Sequence, residues 1–223
     1  MTALIRYQAD LLVRSQRWLA PVLLYLAFLA VGIRSGQPVL DSLGYTAAGM
    51  LPVTAWLVRV CVTQEPPAAR TVVAAAAGGQ PKAHLAALLT ALGGAALLGE
   101  AATAAVLAIS DPASTDHAVR VPLAPAGAAG VLATACCVLL GAAAGALCGR
   151  PLLHGRGWSI AATVTVALLA LVSTGSPAKY AVTGLVTGSL TGTVHVPVFP
   201  LLAATAVTAA AFALACRLTS VRG

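Results

Sequence analysis

The residues that could take part in chemistry are few and scattered along this chain. Its histidines and cysteines lie in or between separate apolar runs, without the spacing of a metal site. No G-x-S-x-G, no H-E-x-x-H and no phosphate-binding G-x-x-x-x-G-K-S/T motif occurs. The sequence therefore predicts no catalytic residue, and no metal or cofactor held by this chain. The residues concerned are His84, His117, His154, His195, Cys61, Cys136, Cys137, Cys148 and Cys216.

One carboxylate, Glu100, lies well inside an apolar run. A carboxylate in lipid is costly and usually faces a bundle interior or an aqueous cavity. Glu100 could meet a cationic group of a substrate, carry a proton, or be a neutral, hydrogen-bonded packing residue. These three interpretations stay open at the level of sequence.

A polar stretch, residues 64–84, separates two long apolar runs and is too polar to lie in lipid. Pro66 and Pro67 suit the first turn of a helix, and Glu65 suits its positive N-terminal end. The sequence predicts a short alanine-rich helix over Arg70–Ala77. An ordinary loop is the alternative.

Glycines are expected to end this short helix. Gly78 and Gly79 supply a left-handed stop, and Gln80-Pro81 predicts a turn before the next apolar run. The result would be a short, stiff helix between two membrane spans, suited to docking a partner or transmitting force.

The elements that must position these residues are membrane helices. Of 223 residues, 59% are apolar and 9% are charged, whereas soluble domains carry roughly 25% charged residues. The net charge of +7 comes from Lys and Arg at the ends of apolar runs rather than on one face, so no nucleic-acid binding is predicted. The fold class is an all-α polytopic membrane protein, a single transmembrane domain over residues 1–223.

An amphipathic helix over residues 3–17 precedes the first span. Leu4, Tyr7, Leu11 and Trp18 share one face, and the charged residues share another. The pattern predicts a helix lying in the headgroup layer of the membrane. A signal peptide is the alternative, but no convincing small-residue cleavage site follows the apolar run.

Six membrane spans are predicted, since a span needs about 20 apolar residues. Their expected ranges are Trp18–Ile33, Leu43–Thr63, Leu85–Ile109, Pro125–Gly149, Trp158–Thr174 and Leu201–Cys216.

The distribution of Lys and Arg predicts that both termini are cytosolic, because cytosolic ends of spans are rich in basic residues. Only Arg34, Arg120 and Lys179 then fall outside. The basic residues expected inside are Arg6, Arg14, Arg17, Arg59, Arg70, Lys82, Arg150, Arg156, Arg217 and Arg222.

The outer connection, residues 173–200, is too apolar for a solvated loop and too interrupted by Pro177, Pro197 and Pro200 for a regular span. It predicts a re-entrant hairpin that dips into the outer leaflet before the last span. A seventh span is the alternative, and it would place Arg217 outside.

Gly141, Gly145 and Gly149 form a ridge of small residues on the fourth span. Such a ridge lets another helix approach closely. Packing within the chain is the favoured interpretation, and a dimer contact is the alternative.

These elements together resemble the permease subunit of type-2 ABC exporters: the in-plane helix, six spans, the helix between spans two and three that ends in Gly78-Gly79-Gln80, and the broken outer connection. The stretch 64–84 is similar to the coupling helix of that family. The resemblance implies a bacterial cytoplasmic (inner) membrane permease that forms the substrate path with a second permease copy or paralogue.

The resemblance further implies separate cytosolic ATPase subunits that bind ATP and Mg and dock on the coupling helix. The interface residues it implies are Glu65, Arg70, Thr71, Ala75, Ala76, Gly78, Gly79, Gln80 and Lys82. Glu100 is the candidate residue of the substrate path. The alternatives are a secondary carrier that uses Glu100, and a membrane assembly subunit that transports nothing. The cargo, and whether the permeases form a homodimer or a heterodimer, is not specified by the sequence.

Overall fold

The computed structural model describes residues 1–149 and 156–222, and Arg150 and His154 lie outside this range. Isolated β-bridges occur at Pro38–Asp111 and Ala113–Arg120, and the described chain is otherwise helices and their connections. Its nine helices are α1 (Thr2–Ser15), α2 (Leu19–Gly32), α3 (Val39–Thr63), α4 (Pro67–Ala77), α5 (Gln80–Ile109), α6 (Leu123–Cys148), α7 (Arg156–Val172), α8 (Pro177–Thr191) and α9 (Val198–Arg222).

Four of these helices, α3, α5, α6 and α9, are individually long and apolar enough to cross a membrane. Two bent pairs raise the number of candidate spans to six if each pair counts as one span. The pairs are α1 with α2, at 71°, and α7 with α8, at 47°. The prediction of an all-α, multi-pass membrane protein agrees with this arrangement, and the number of candidate spans is four to six.

The core of the bundle is the contact between α3 and α6, which are buried along most of their length. Gly141 and Gly145 lie where the two helices approach most closely. A Cβ atom on Gly145 would lie 2.7 Å from the Ala55 carbonyl oxygen, and one on Gly141 would meet the Leu51 carbonyl oxygen more closely still. Gly149 follows the last residue of α6, and among the described residues a Cβ there would meet the Gly145 carbonyl oxygen of its own helix, at 3.1 Å.

At one end of the bundle lie α1, α4, the end of α3 and the start of α5. There, Gln8 bonds to Gln64 and Glu65, and the Cys216 thiol of α9 lies 3.7 Å from the Pro81 carbonyl oxygen. We call this the basic end, because seven of the basic residues predicted on one side lie on these segments, next to them, or on α9 beside Cys216. They are Arg6, Arg14, Arg17, Arg59, Arg70, Lys82 and Arg217.

The opposite end is formed by the start of α3, the connection 110–122 and the C-terminal part of α8. The Val39 amide donates to the Asp111 carbonyl, and the Thr115 amide donates to the Ser189 carbonyl, both at 3.0 Å. The three aspartates Asp41, Asp111 and Asp116 lie here. Most of the described basic residues therefore lie at one end of the bundle, whereas the opposite end carries three of the four aspartates together with Arg34 and Arg120.

Helix α1 packs on the bundle with a face that differs from the predicted one. Gln8 and Leu12 are its buried side chains, whereas Tyr7, expected on the apolar face, is 37% exposed. The polar Gln8 is buried because the end of α3 supplies its hydrogen-bond partners. Gln16, in the left-handed conformation at φ 53°, turns the chain from α1 into α2.

The predicted turn at Gln80-Pro81 is wrong, since these residues form the first turn of α5. Proline fits there because the first amides of a helix lack an intrahelical acceptor in any case. The change of direction is made instead by Gly78 and Gly79, with φ 75° and 131°. Helix α5 therefore starts five residues before the predicted Leu85.

The connection 173–200 contains a helix that the sequence analysis did not predict. Helix α8 runs from Pro177 to Thr191, and Gly192, which follows it, has φ 71°. Gly188 of α8 lets the carbonyl of the returning Thr193 come close to the helix. The chain then runs back into the bundle, since the Cys136 thiol of α6 lies 3.6 Å from the Pro200 carbonyl oxygen. The 47° bend fits a broken span or a re-entrant segment.

Candidate partner-docking site

Helix α4 is a separate short helix outside the long apolar helices, as the sequence predicted, and it starts three residues earlier than expected. Pro66 is its N-cap and Pro67 its first residue. At its end, the Gly79 amide donates to the Ala74 carbonyl at 2.8 Å, and the Gly78 amide donates to the Ala75 carbonyl at 3.4 Å. This left-handed glycine ending fixes the length of α4.

The start of α4 is fastened to α1 by buried hydrogen bonds. The Gln8 amide donates to Glu65 Oε1 at 2.7 Å, and the Gln64 amide donates to Gln8 Oε1 at 2.7 Å. Gln8 is 2% exposed and Glu65 is 9% exposed. Glu65 was expected to face a partner. It instead faces α1, and its hydrogen bond with Gln8 joins α1 to the segment just before α4.

Arg70 also makes a contact within the chain. Its Nη2 donates to the Val62 carbonyl at 2.7 Å, near the end of α3. A charged donor on an unpaired helix-end carbonyl is favourable, because the C-terminal end of a helix carries partial negative charge. Arg70 thus holds α4 against α3, a role that the sequence analysis did not predict.

The free face of α4 is made of small and apolar side chains. Ala75 and Ala76 are exposed, as is Thr71, and Val72 is 69% exposed. Ala74 on the other face is 5% exposed and packs into the bundle. The two alanines expected to contact a partner are therefore accessible in this chain.

The remaining predicted interface residues lie beside this face. Gly78 is exposed, whereas Gly79 and Gln80 are half-buried in the bend between α4 and α5. Lys82 is exposed in the first turn of α5, and its Nζ would lie 3.4 Å from a Cβ on Gly78. The structure thus brings Lys82 to the C-terminal end of α4, where it adds a positive charge to an otherwise apolar face.

An apolar groove of about 570 Å³ runs between α2, α3 and α7. Its walls include Leu24 and Phe28 of α2, Gly49 of α3, and Leu168 and Leu171 of α7. Phe28 and Tyr45 stack there, with ring centroids 4.1 Å apart. The groove offers a surface for an apolar molecule or for a neighbouring membrane helix.

Glu100, the predicted residue of the substrate path, does not line this groove. It is exposed on the outer surface of α5, and it makes no hydrogen bond or ion pair within the described chain. The sequence analysis expected a bundle interior or a cavity for a carboxylate in this position. In the single chain it faces outward.

A polar cluster holds α8 at the opposite end of the bundle. Thr115 Oγ1 lies 3.0 Å from Ser189 Oγ and donates to Asp41 Oδ2 at 3.2 Å. These contacts join the connection 110–122 to α8 and to α3. In the same connection, hydrogen bonds from the Ser114 hydroxyl and the Ala118 amide lower the pKa of Asp116. We call Asp41, Thr115 and Ser189 the outer clasp.

Two groups of residues in these sites were missed by the sequence analysis, namely Gln8 with Gln64, and the outer clasp. Their contacts span 56 and 74 positions of the chain, so no local pattern joins them. The sequence offered one signal for Gln8. It lies three residues after Ile5 and four residues before Leu12, so it shares one helix face with these two apolar residues.

No family model, curated protein or solved structure matches this chain. The class of the protein is therefore defined by its own fold. It is an all-α membrane protein with an additional short helix that lies outside its candidate spans and exposes an apolar face.

Proposed function

We propose that this chain is the permease subunit of an ATP-driven exporter in the bacterial cytoplasmic membrane. It works with a second permease copy or paralogue and with separate cytosolic ATPase subunits. Those subunits bind ATP and Mg, and this chain supplies the membrane path. In this proposal the basic end is cytosolic, in keeping with the preference of Lys and Arg for that side.

The observation that carries the proposal is the free face of α4. In this proposal α4 lies outside lipid, and a partner covers the face on which Val72, Ala75 and Ala76 are exposed together. The small side chains allow a partner groove to approach the helix backbone closely. Lys82 at the edge of this face is the candidate for pairing with an acidic group of the ATPase.

The way in which α4 is held supports a role in transmitting force. Its start is joined to α1 through Glu65 and to the end of α3 through Arg70, and the chain continues from it through Gly78 and Gly79 directly into α5. A push on α4 is therefore passed to three helices at once. Helix α1 leads directly into α2, which lines the apolar groove.

The groove between α2, α3 and α7 is the proposed surface for the cargo. Its lining is almost entirely hydrophobic, so the cargo class that fits is an apolar or amphipathic molecule. In the proposed assembly the second permease copy closes the open side of this groove. ATP hydrolysis in the partner would then change the packing of α2 and α3 through α1 and α4.

The secondary-carrier alternative has less support from the arrangement of the chain. Such a carrier needs its ionisable residue in the path, and Glu100 is exposed and does not line the groove. The alternative of an assembly subunit that transports nothing is separated from the proposal by experiment.

Co-purification with a candidate ATPase tests the proposal. The affinity-tagged chain and a candidate soluble ATPase are co-expressed, and the amount of bound ATPase is measured. We expect binding to the wild type and at least tenfold weaker binding to Ala75→Trp or Ala76→Trp, since an indole on the free face of α4 blocks a close contact.

Val13→Trp is the matched control, because Val13 is also exposed on a short helix at the basic end but lies on α1. It should retain ATPase binding. Equal binding of the ATPase to all three tryptophan variants would refute α4 as the docking site.

A further inference from the structure

Helix α5 exposes a regular line of residues that no other part of the described chain covers. Gly93, Leu97, Glu100, Ala104 and Ala108 are all exposed, and they follow one another at intervals of four, three, four and four residues. This is the spacing with which one helix packs along another. We call these five residues the α5 seam.

The seam is built for a close helix contact that the chain itself does not make. A Cβ on Gly93 would meet no other atom within 4 Å, so no packing within the chain requires glycine there. Ala104 and Ala108 are also small. Small residues in a membrane helix allow the backbone of a second helix to come near.

Glu100 lies at the depth where lipid cannot satisfy a carboxylate. It stands nine residues before Ile109, the last residue of α5, which is about 13 Å along the helix axis. The hydrocarbon core is roughly 30 Å thick, so Glu100 lies near its middle if α5 spans it. Acyl chains offer no hydrogen-bond donor, and Glu100 has no partner in the described chain.

A second groove, of about 370 Å³, runs beside the seam between α2 and α5. Ala101 and Ala105 line it, and they come directly after Glu100 and Ala104 on α5. Leu26 and Leu29 of α2 form its other wall. The seam and this groove together make one continuous apolar surface with a single carboxylate at its edge.

We propose that the α5 seam binds a transmembrane helix of a different polypeptide, one that places a lysine or arginine against Glu100. Charge complementarity identifies the occupant. The contact satisfies the carboxylate, and the small residues of the seam let the second helix lie close enough to make it.

A second copy of this chain does not fit the seam as well. Its candidate spans carry no Lys or Arg at comparable depth, because the basic residues stand near helix ends or in connections. Two copies packed through their seams would place one carboxylate against another. The required cation therefore comes from another protein. This inference is independent of the exporter proposal, which places the second permease copy at the groove between α2, α3 and α7.

A designed membrane helix serves as the probe. The full-length protein, labelled with a donor fluorophore, is reconstituted into phosphatidylcholine vesicles. Acceptor-labelled single-span peptides of Leu and Ala are added with one central residue, either Lys or Leu. We expect the Lys peptide to bind about tenfold more tightly than the Leu peptide, the gain typical of an interhelical polar contact.

Three variants and one control make the test specific for the seam. Glu100→Gln should abolish the preference for Lys, and Glu100→Lys should reverse it in favour of a peptide with a central Glu. Ala104→Trp should weaken binding of the Lys peptide by blocking the seam while leaving the carboxylate in place. Leu214→Trp, a matched change at an exposed position of α9, should leave binding unchanged.

Three results would overturn the inference. The first is equal binding of the Lys and Leu peptides to the wild type. The second is a preference for Lys that survives Glu100→Gln or Ala104→Trp. The third is efficient oxidative cross-linking between two copies that carry Ala104→Cys in a cysteine-free background, because that would show the seam to be a contact between copies of this chain.

Discussion

At the scale of single residues, two glycines of similar helical setting have opposite surroundings. Gly145 of α6 faces the Ala55 carbonyl and Val58 of α3, whereas Gly93 of α5 faces open space. A glycine is costly in a helix relative to alanine, by roughly 1 kcal/mol. A tight helix contact explains this cost at Gly145 and does not explain it at Gly93.

Gly145→Ala should lower the melting temperature of the purified protein, because a Cβ there would lie 2.7 Å from a backbone oxygen that cannot move aside. The expected loss is about 1–3 kcal/mol, the range for overpacked cores. Gly93→Ala is the control and should leave the melting temperature unchanged or raise it slightly. Thermal unfolding in detergent measures both, and an equal loss in the two variants would contradict the tight α3–α6 contact.

The link between Gln8 and Glu65 gives a second prediction at this scale. Glu65→Leu leaves the buried Gln8 amide without its acceptor, at a cost of about 1–3 kcal/mol, and should loosen α1. Trypsin should then cut faster at Arg14 and Arg17, which are exposed on and after α1. The measurement is the rate of tryptic cleavage.

The double variant Gln8→Leu, Glu65→Leu serves as the control, because it removes the unsatisfied Gln8 amide, although the half-buried Gln64 amide then loses Gln8 Oε1 as its acceptor. It should recover part of the protection. If Glu65→Leu is cleaved no faster than the wild type, the buried link does not hold α1 in place.

At the scale of elements, the sequence predicted the helices whose causes are local. Long apolar runs predicted α3, α5, α6 and α9, and proline and glycine predicted α4. The observed helix ends differ from the predicted ones by a few residues. One reason is that a proline near a helix start can belong to the first turn instead of preceding it, as Pro81 does in α5.

The sequence did not predict elements whose causes lie far away along the chain. Helix α8 has many glycines and threonines, and its place depends on Leu40 and Gly44 of α3 and on Thr115. The buried face of α1 depends on the end of α3 in the same way. Which side Glu100 faces also depends on the packing of the whole bundle, and no pattern in α5 alone decides it.

The outer clasp predicts that α8 is fixed to the connection 110–122. Thr115 Oγ1 and Ser189 Oγ are 3.0 Å apart, so Thr115→Cys with Ser189→Cys should form a disulfide on oxidation in a cysteine-free background. If α8 acts as part of an outer gate, the cross-linked protein should still bind its ATPase but lose export. Reduction of the disulfide should restore export.

A pair in which Ser189→Cys is combined with Ser35→Cys is the control and should not form a disulfide. Undiminished export by the fully cross-linked protein would show that α8 does not need to leave the outer clasp.

At the scale of the whole molecule, the excess of Lys and Arg at the basic end predicts the orientation in the membrane. Cysteines at Ser35 or Ala118, both exposed toward the opposite end, should react with an impermeant maleimide added outside intact cells. A cysteine at Thr71, exposed on α4, should react only after the membrane is opened. Outside labelling of Thr71→Cys would reverse the proposed orientation.

The proposed function joins these scales, since α4 must both bind the ATPase and pass its motion to α1, α3 and α5. The most direct measurement is ATP hydrolysis by the partner ATPase in proteoliposomes that contain this chain. We predict that the wild-type chain and Val13→Trp stimulate hydrolysis, and that Ala75→Trp and Ala76→Trp do not, although all of them insert and fold. Equal stimulation by the wild type and by both α4 variants would contradict the account.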